Sequence, residues 1–433
     1  MKIKSLMAAG IVALAGAVTA QAATTIVLTG STAFRAQTHA AIQASLAAGY
    51  TLKFTGGTLS SANAAVFVGN VTGAAAGANP YTIHCSWSGS TGGIQTVSAV
   101  LPGPTYTVGT LDPAAAPVAT VLPGTSGATD PRNPKINPLR PDISMGDSTQ
   151  SSTVFNGTVL AAPGVPAGVY TTLLNAKSDG VNRGPVGVIP FQWVGSTSCP
   201  AGLNMTPQIA QAIYTTVGAC PLALFTGLNA DETTTVYGCG RDPDSGTRTI
   251  TYAESGIGAT NFGVQQFVTL PATAGGAITS IALAAPTTIN GYAFGAGVGG
   301  ESSGGTLANK LRNTGPAGGL GPLGDGFCVS YLSVNDVTTL LTAPNAGKTL
   351  TWCGVDYTEL RVREGQYTFW SYEHLGYRPT LSTENDVKGL GSDKVFFADK
   401  VANVIYLAGS TVNIVDMQVS RPTDGGLVTA SYF

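Results

Sequence analysis

Charge is scarce in this chain: Lys, Arg, Asp and Glu together make up 10% of its 433 residues, with 21 basic residues against 23 acidic ones. Without a basic stripe there is no electrostatic footprint for a nucleic-acid backbone, so nucleic acid is not an expected partner and any anion must be recognised by local donors. Histidine is scarcer still. His39, His84 and His374 are scattered without short ligand spacing, which argues against a metal centre, and no cofactor is implied. The six cysteines, at positions 85, 199, 220, 239, 328 and 353, include no Cys-x-x-Cys pair, so the short-spaced zinc and redox motifs are missing. Beyond the first 22 residues, no apolar run is long enough to span a bilayer as a helix.

The N-terminus points to export. Lys2 and Lys4 precede an apolar run from Leu6 to Val18 and then Ala20-Gln21-Ala22, the pattern of a signal peptide cleaved near Ala22. No cysteine follows the cleavage site to carry a lipid anchor, so a periplasmic or secreted mature chain is expected. Removing the two signal lysines from 21 basic residues leaves 19 against 23 acidic. In an exported chain an even set of cysteines points to disulfides. Cys328–Cys353 and Cys199–Cys220 are the pairs expected within one half; Cys85–Cys239, left by elimination, would cross the two halves and hinder their opening, and six cysteines allow 15 connectivities. The roughly 410 mature residues suit two domains.

What the chain does have is donor chemistry for an anion. Arg241-Asp242-Pro243-Asp244-Ser245-Gly246-Thr247 sets a guanidinium four residues before a Ser-Gly-Thr that can open a helix. The planar fork of Arg matches an oxyanion, and the first amides of a helix lack intrahelical partners at the positive end of its dipole. The same string is also ordinary turn chemistry. Three more segments repeat the pattern. Thr25-Ile26-Val27-Leu28 reads as a strand leading through Gly30-Ser31-Thr32-Ala33-Phe34 into an Ala-rich helix from about Arg35 to Ala47. Ser88-Gly89-Ser90-Thr91-Gly92-Gly93-Ile94 offers glycines for close backbone approach and hydroxyls to donate. Pro141-Asp142-Ile143-Ser144-Met145-Gly146-Asp147-Ser148 places Asp147 at the end of an apolar run, as a ligand contact or as a turn aspartate capping the next helix. Short strands alternate with modest helices, including one started by Thr206-Pro207, one from Thr306 to Leu311 and one from Lys394 to Tyr406. That alternation argues α/β folding with ligand loops at strand-to-helix junctions.

In this order the four segments resemble the periplasmic phosphate-binding proteins of ABC importers, the phosphate-binding and DING-like branch of the type 2 periplasmic binding proteins. The family's Gly-(Ala/Ser)-(Thr/Ser)-x-Phe turn, Gly-Ser-Gly-Gly turn, Asp-Ile-x-x-x-Asp segment and Arg-x-x-x-Ser-Gly-Thr run are matched here by Gly30 to Phe34, Gly89 to Gly93, Asp142 to Asp147 and Arg241 to Thr247. Val188-Ile189-Pro190-Phe191 resembles the strand crossing into the second lobe, and Arg363 to His374 the return crossing. The resemblance implies an α/β, two-lobe type 2 periplasmic-binding-protein fold with mixed sheets and an interlobe ligand cleft. Its lobes would be 23–187 with 365–433, and 188–364. It implies capture of phosphate or a similar tetrahedral oxyanion through Ser31, Thr32, Ser90, Thr91, Asp147, Arg241, Ser245, Gly246 and Thr247. The expected receivers are the membrane subunits of an ABC transporter, and the expected species is a monomer that performs no catalysis.

Two stretches depart from the family's spacing, about 51–85 and about 101–141, and read as loop insertions in the first lobe; the second is rich in Pro, Gly, Ala and Thr. Other readings stay open. Gly300-Glu301-Ser302-Ser303-Gly304 spells a nucleophile elbow, with Asp356 and His374 following in hydrolase order. The terminal Tyr432-Phe433 would suit the last strand of an outer-membrane barrel, although Thr429 and Ser431 on the same face are polar. Gly295-Ala296-Gly297-Val298-Gly299-Gly300 has the dinucleotide spelling but no helix to open, and reads as a loop.

Overall fold

The computed structural model describes residues 24–75, 77–100, 108–111, 136–159, 168–271, 278–289, 292–312, 326–382, 392–409 and 411–431. The signal segment, the terminal Tyr432-Phe433 and most of the Pro-rich stretch 101–141 lie outside them. Within that stretch, Val108–Leu111 and Ile136–Leu139 pair as an antiparallel ribbon.

One mixed sheet of twelve strands organises the chain. Its strands are β1 (Thr24–Gly30), β2 (Thr51–Phe54), β3 (Ala64–Gly69), β4 (Tyr81–Ser86), β5 (Ile143–Gly146), β6 (Leu174–Asn175), β7 (Gly187–Gly195), β8 (Ala219–Pro221), β9 (Thr235–Gly238), β10 (Phe327–Ser333), β11 (Lys348–Thr349) and β12 (Trp370–Tyr377). The order across the sheet is β8-β9-β10-β7-β12-β5-β1-β4-β3-β2, with β6 added on β12 and β11 on β7. β1 runs parallel to β4 and β5, and β9 parallel to β10, so each half has a parallel core flanked by antiparallel neighbours.

The halves join through β7 and β12. Gly187–Pro190 pairs antiparallel with Trp370–Glu373; beyond that, β7 continues along β10 and β12 continues along β5. Apart from Gln192, β7 is apolar on both faces, and it is buried along its whole length, as a strand covered on both sides must be. Ring contacts pack around Trp193 of β7: Tyr331 at 5.8 Å edge-on, Phe369 at 5.9 Å and Trp352 at 6.2 Å.

The helices cover this sheet. α1 (Arg35–Ser45) and α2 (Ser90–Ser98) follow β1 and β4; α3 (Pro207–Tyr214), α4 (Gly246–Glu254), α5 (Gly304–Leu311) and α6 (Val334–Leu340) belong to the second half; α7 (Ser392–Ala408) packs on α1. Start signals are chemical. Thr206 accepts from the amide of Ile209 at 3.3 Å with Pro207 at the first helical position, and Ser245 and Ser303 cap α4 and α5 in the same way.

Two expectations are overturned. The stretch 51–85 is no loop insertion: its Val, Phe, Ile and Tyr residues form β2, β3 and β4, and β4 is the parallel neighbour of β1. The expected disulfides are absent, all six cysteines being thiols. Cys328 on β10 lies instead against Cys239 just past β9, on the same sheet face, and Cys353 is exposed. Even parity counts cysteines; the strand register decides which of them meet.

His39 of α1 is buried between the carbonyl of Leu59, 2.9 Å from Nδ1, and the indole N–H of Trp87, which donates to Nε2 at 2.9 Å. A nitrogen that accepts cannot carry a proton, so the ring is neutral with its hydrogen on Nδ1. Burial lowers its pKa from 6.5 to about 4. Because the folded value lies below the unfolded one, this contribution to stability is complete above about pH 6.5 and is lost as pH falls towards 4, about 3 kcal/mol in all. Urea unfolding at pH 7 and pH 4 should show wild type losing about that much more than His39→Gln; equal losses would mean the folded ring takes up its proton freely.

Candidate functional site

The site is assembled where the two halves meet, around Arg241. Its backbone is fixed before its side chain is used. The Tyr331 hydroxyl accepts its amide at 3.2 Å, and its carbonyl accepts from Gln266 Nε2 and from Arg248 Nη1, both at 3.0 Å. Gln266 is oriented in turn by the hydroxyls of Tyr252 and Tyr331, each donating to its Oε1 at 2.9 Å. The guanidinium, 1% exposed with its residue, donates from Nε to the Glu301 carbonyl at 2.9 Å and from Nη2 to the Ser302 carbonyl at 3.0 Å and the Thr32 hydroxyl at 3.3 Å. The last of these crosses from the second half to the first.

The first half brings up the other ligand-like groups. Gly30 has φ +124, and an added Cβ there would strike the Met145 carbonyl, so the turn into Ser31 and Thr32 requires glycine. Ser31 is buried; its amide donates to Met145 at 2.8 Å and its hydroxyl accepts from Phe34 at 3.2 Å. Ser90 opens α2, donating its hydroxyl to Asp147 Oδ1 in a short hydrogen bond and accepting the Asp147 amide at 3.1 Å. Thr247 of α4 donates to the other carboxylate oxygen at 3.2 Å. Gly246 lies so close to Asp147 that a Cβ would collide with the carboxylate, which is why α4 must begin with glycine. The Asp147 carboxylate therefore sits between the start of α2 and the start of α4, as an anion would.

Burial raises the pKa of Asp147, while the Ser90 hydrogen bond, the Arg241 charge and the Thr247 hydrogen bond lower it. Asp242 is pushed up to about 6 by burial, against the pull of Arg241 and Arg248.

Every sequence-predicted residue falls in this region, in differing employment. Across the halves Thr32 meets Arg241, and Ser90 and Asp147 meet Gly246 and Thr247. Ser245 serves as cap, accepting the Arg248 amide at 3.2 Å. Thr91 is engaged with the second half: its amide donates to the Asp244 carbonyl at 2.9 Å and its hydroxyl meets Thr249 at 3.1 Å. Beside Thr32 a polar cavity of about 630 Å³ opens, lined among others by Arg35, Asn63, Ser303, Asn309 and Asp336.

The hydrolase constellation is not assembled. Ser302 is exposed and contributes its carbonyl to Arg241; Asp356 is a surface residue 3.8 Å from Arg361; His374 is half-buried in β12, with neither ring nitrogen hydrogen-bonded. Nothing among the described residues joins the three.

Sequence reasoning missed two neighbours of this region. The glycine-rich segment at 295–300 is a backing wall for Arg241: the Val298 and Gly299 carbonyls accept from Arg248 and Gln266, and a Cβ on Gly300 would crowd the Arg241 carbonyl. Its glycines were the available signal, since only they permit that approach. The second is Glu373 of β12, fully buried, with no local pattern to mark it.

Among the described residues no helix is long and apolar enough to cross a membrane, and no three His, Cys, Asp or Glu side chains gather as a metal site. No family model matches this chain. No curated protein matches it either. Solved structures do. A phosphate ABC transporter substrate-binding protein with bound phosphate from Clostridium perfringens is similar at 11% identity and TM-score 0.39, covering 89% of this chain and 97% of its own. An ABC-type phosphate transport receptor from Vibrio cholerae is similar at 10% identity and TM-score 0.38, covering 88% and 97%. A possible phosphate-binding protein from Planctomyces limnophilus is similar at 11% identity and TM-score 0.34, covering 88% and 98%.

Proposed function

We propose that this chain is an exported solute-binding protein that captures phosphate, or a similar tetrahedral oxyanion, at the base of the cleft and passes it to the membrane subunits of an ABC importer. The observation that carries the reading is Arg241: a buried guanidinium, held rigid from behind, that reaches across to Thr32 and acts on a carboxylate lying between two helix starts. Such preorganisation has no use in a merely packed interface, where a buried charge costs more than an apolar residue of similar size.

On this reading the lobes are 23–187 with 365–433, and 188–364, hinged where β7 and β12 cross. Rotation there would part Ser90 and Asp147 from Thr247, and Thr32 from Arg241. A tetrahedral anion entering the gap takes over those hydrogen bonds: the fork of Arg241, the hydroxyls of Thr32, Ser90 and Thr247, and the amides of Gly246 and Thr247 at the start of α4. Ser31, Thr91 and Ser245 shape the two turns. The ligand favours the closed arrangement because only there does it meet donors from both lobes. No covalent bond is made.

Arg241→Ala should keep the fold and weaken phosphate binding by at least about a hundredfold, since two charge-assisted hydrogen bonds contribute about 1.5 to 3 kcal/mol each. Arg241→Lys should also bind poorly, a point charge not reproducing the fork. Isothermal titration with circular dichroism as the folding control tests both; an unchanged dissociation constant in the alanine variant would remove the site.

Asp147 predicts selectivity. A protonated phosphate oxygen can donate to a carboxylate, whereas fully ionised sulfate would face it with unrelieved repulsion. Wild type should therefore bind phosphate and reject sulfate, and Asp147→Asn should lose most of that preference. The same preference in both proteins would reduce Asp147 to a turn residue.

A further inference from the structure

Glu373 is the most deeply buried charge-bearing group that the site leaves unexplained. It is fully inaccessible, and neither carboxyl oxygen has a hydrogen-bond partner. Its place follows from the register of the crossing strand. His374 pairs with Gly146 in the antiparallel β12–β5 ladder, so Glu373 comes level with Asp147, one residue further on, and shares its side of the sheet. On the opposite edge Glu373 pairs with Gly187.

The charges around it can be named element by element. Asp147, from the turn after β5, acts on it directly; Ser31, from the end of β1, supplies a hydroxyl without a hydrogen bond of normal geometry to either oxygen. Arg241, from the second half, acts on Asp147. His374, next on β12, is on the other face, within reach of the Asp424 charge. No cation among the described residues pairs with Glu373. Burial, and then the negative charge of Asp147, push its pKa well above the usual carboxyl range. A carboxyl group in that position holds its proton, because two ionised carboxylates side by side in a dry site repel each other.

We propose that Glu373 belongs to the anion site: it keeps the one proton that the Asp147–Glu373 pair shares, leaving Asp147 ionised and able to accept a hydrogen bond from the ligand. This rests on the oxyanion-binding reading given above. One guanidinium cannot balance two carboxylates and an anion together, so binding requires Glu373 in its acid form. As pH rises and the pair loses its shared proton, the added negative charge expels the ligand. The affinity loss then approaches tenfold per pH unit beyond what the titration of phosphate itself causes. Position 373 lies on the strand that crosses between the halves, so this charge is sensed at the floor of the cleft.

The test compares wild type with Glu373→Gln, which has the shape of the protonated acid at every pH. Inorganic phosphate is titrated calorimetrically from pH 5 to 10 against both. Phosphate ionises identically in the two series, so the ratio of their dissociation constants isolates residue 373. The expected result is equal affinity at the acid end, with wild type weakening progressively relative to Glu373→Gln as pH rises, up to tenfold per unit. Parallel profiles across the range would overturn the proposal while leaving the oxyanion reading intact; a wild type that binds no phosphate at any pH would overturn both. If the Gln variant does not fold, Glu373→Met, also uncharged throughout, must show the same progressive divergence from wild type as pH rises.

Discussion

The position of one guanidinium controls this molecule. Arg241 carries a permanent positive charge into a region with almost no water, and such a charge is tolerated only when its donors are satisfied and its field is answered. The chain meets the first condition with carbonyls of Glu301 and Ser302, and the second with Asp147. It then locks the backbone of Arg241 with Tyr331, Gln266 and Arg248, so the charge cannot withdraw. Much else is set by this requirement. Gly300 lets the wall approach, Gly246 leaves room for Asp147, and the Tyr252–Gln266–Tyr331 network fills the space behind.

The low overall charge of the chain takes on meaning here. With 10% of residues charged, there is no general field to draw an anion in or to compensate one after binding. On the proposed reading, recognition rests on short-range donors, and strand-to-helix turns supply them as hydroxyls and helix-start amides. The proposed anion position accordingly lies between two such turns, the start of α2 from one half and the start of α4 from the other.

How much of this was legible follows from how local each signal is. Ser90, Arg241, Ser245, Gly246 and Thr247 could be read because turn and cap chemistry sits within a few consecutive residues, and Thr206-Pro207 announced α3 by the same means. The mixed α/β character was legible from alternation, and the crossing strand at 188–191 only through the family resemblance. What failed depended on register. Whether 51–85 forms loops or joins the sheet is decided by where β4 finds β1, and cysteine partners are decided by which strands are neighbours. Neither is written in any one segment. Asp244 was read as part of a turn, while its carbonyl serves the first amides of α2, a contact between residues far apart in sequence.

Glu373 represents the extreme of that limit. Within β12 it sits between Tyr372 and His374 as an ordinary alternating position, and only antiparallel pairing with β5 brings it level with Asp147. Two carboxyl groups side by side, one of them in the field of Arg241, form a system whose charge depends on a proton, whereas the guanidinium itself does not titrate in the physiological range. The fixed charge supplies attraction whatever the conditions; the shared proton decides whether the acidic pair presents one negative charge or two. The sensitivity of such a site to pH comes from the pairing of two acids, and it is the strand crossing that brings Glu373 level with the Asp147 turn.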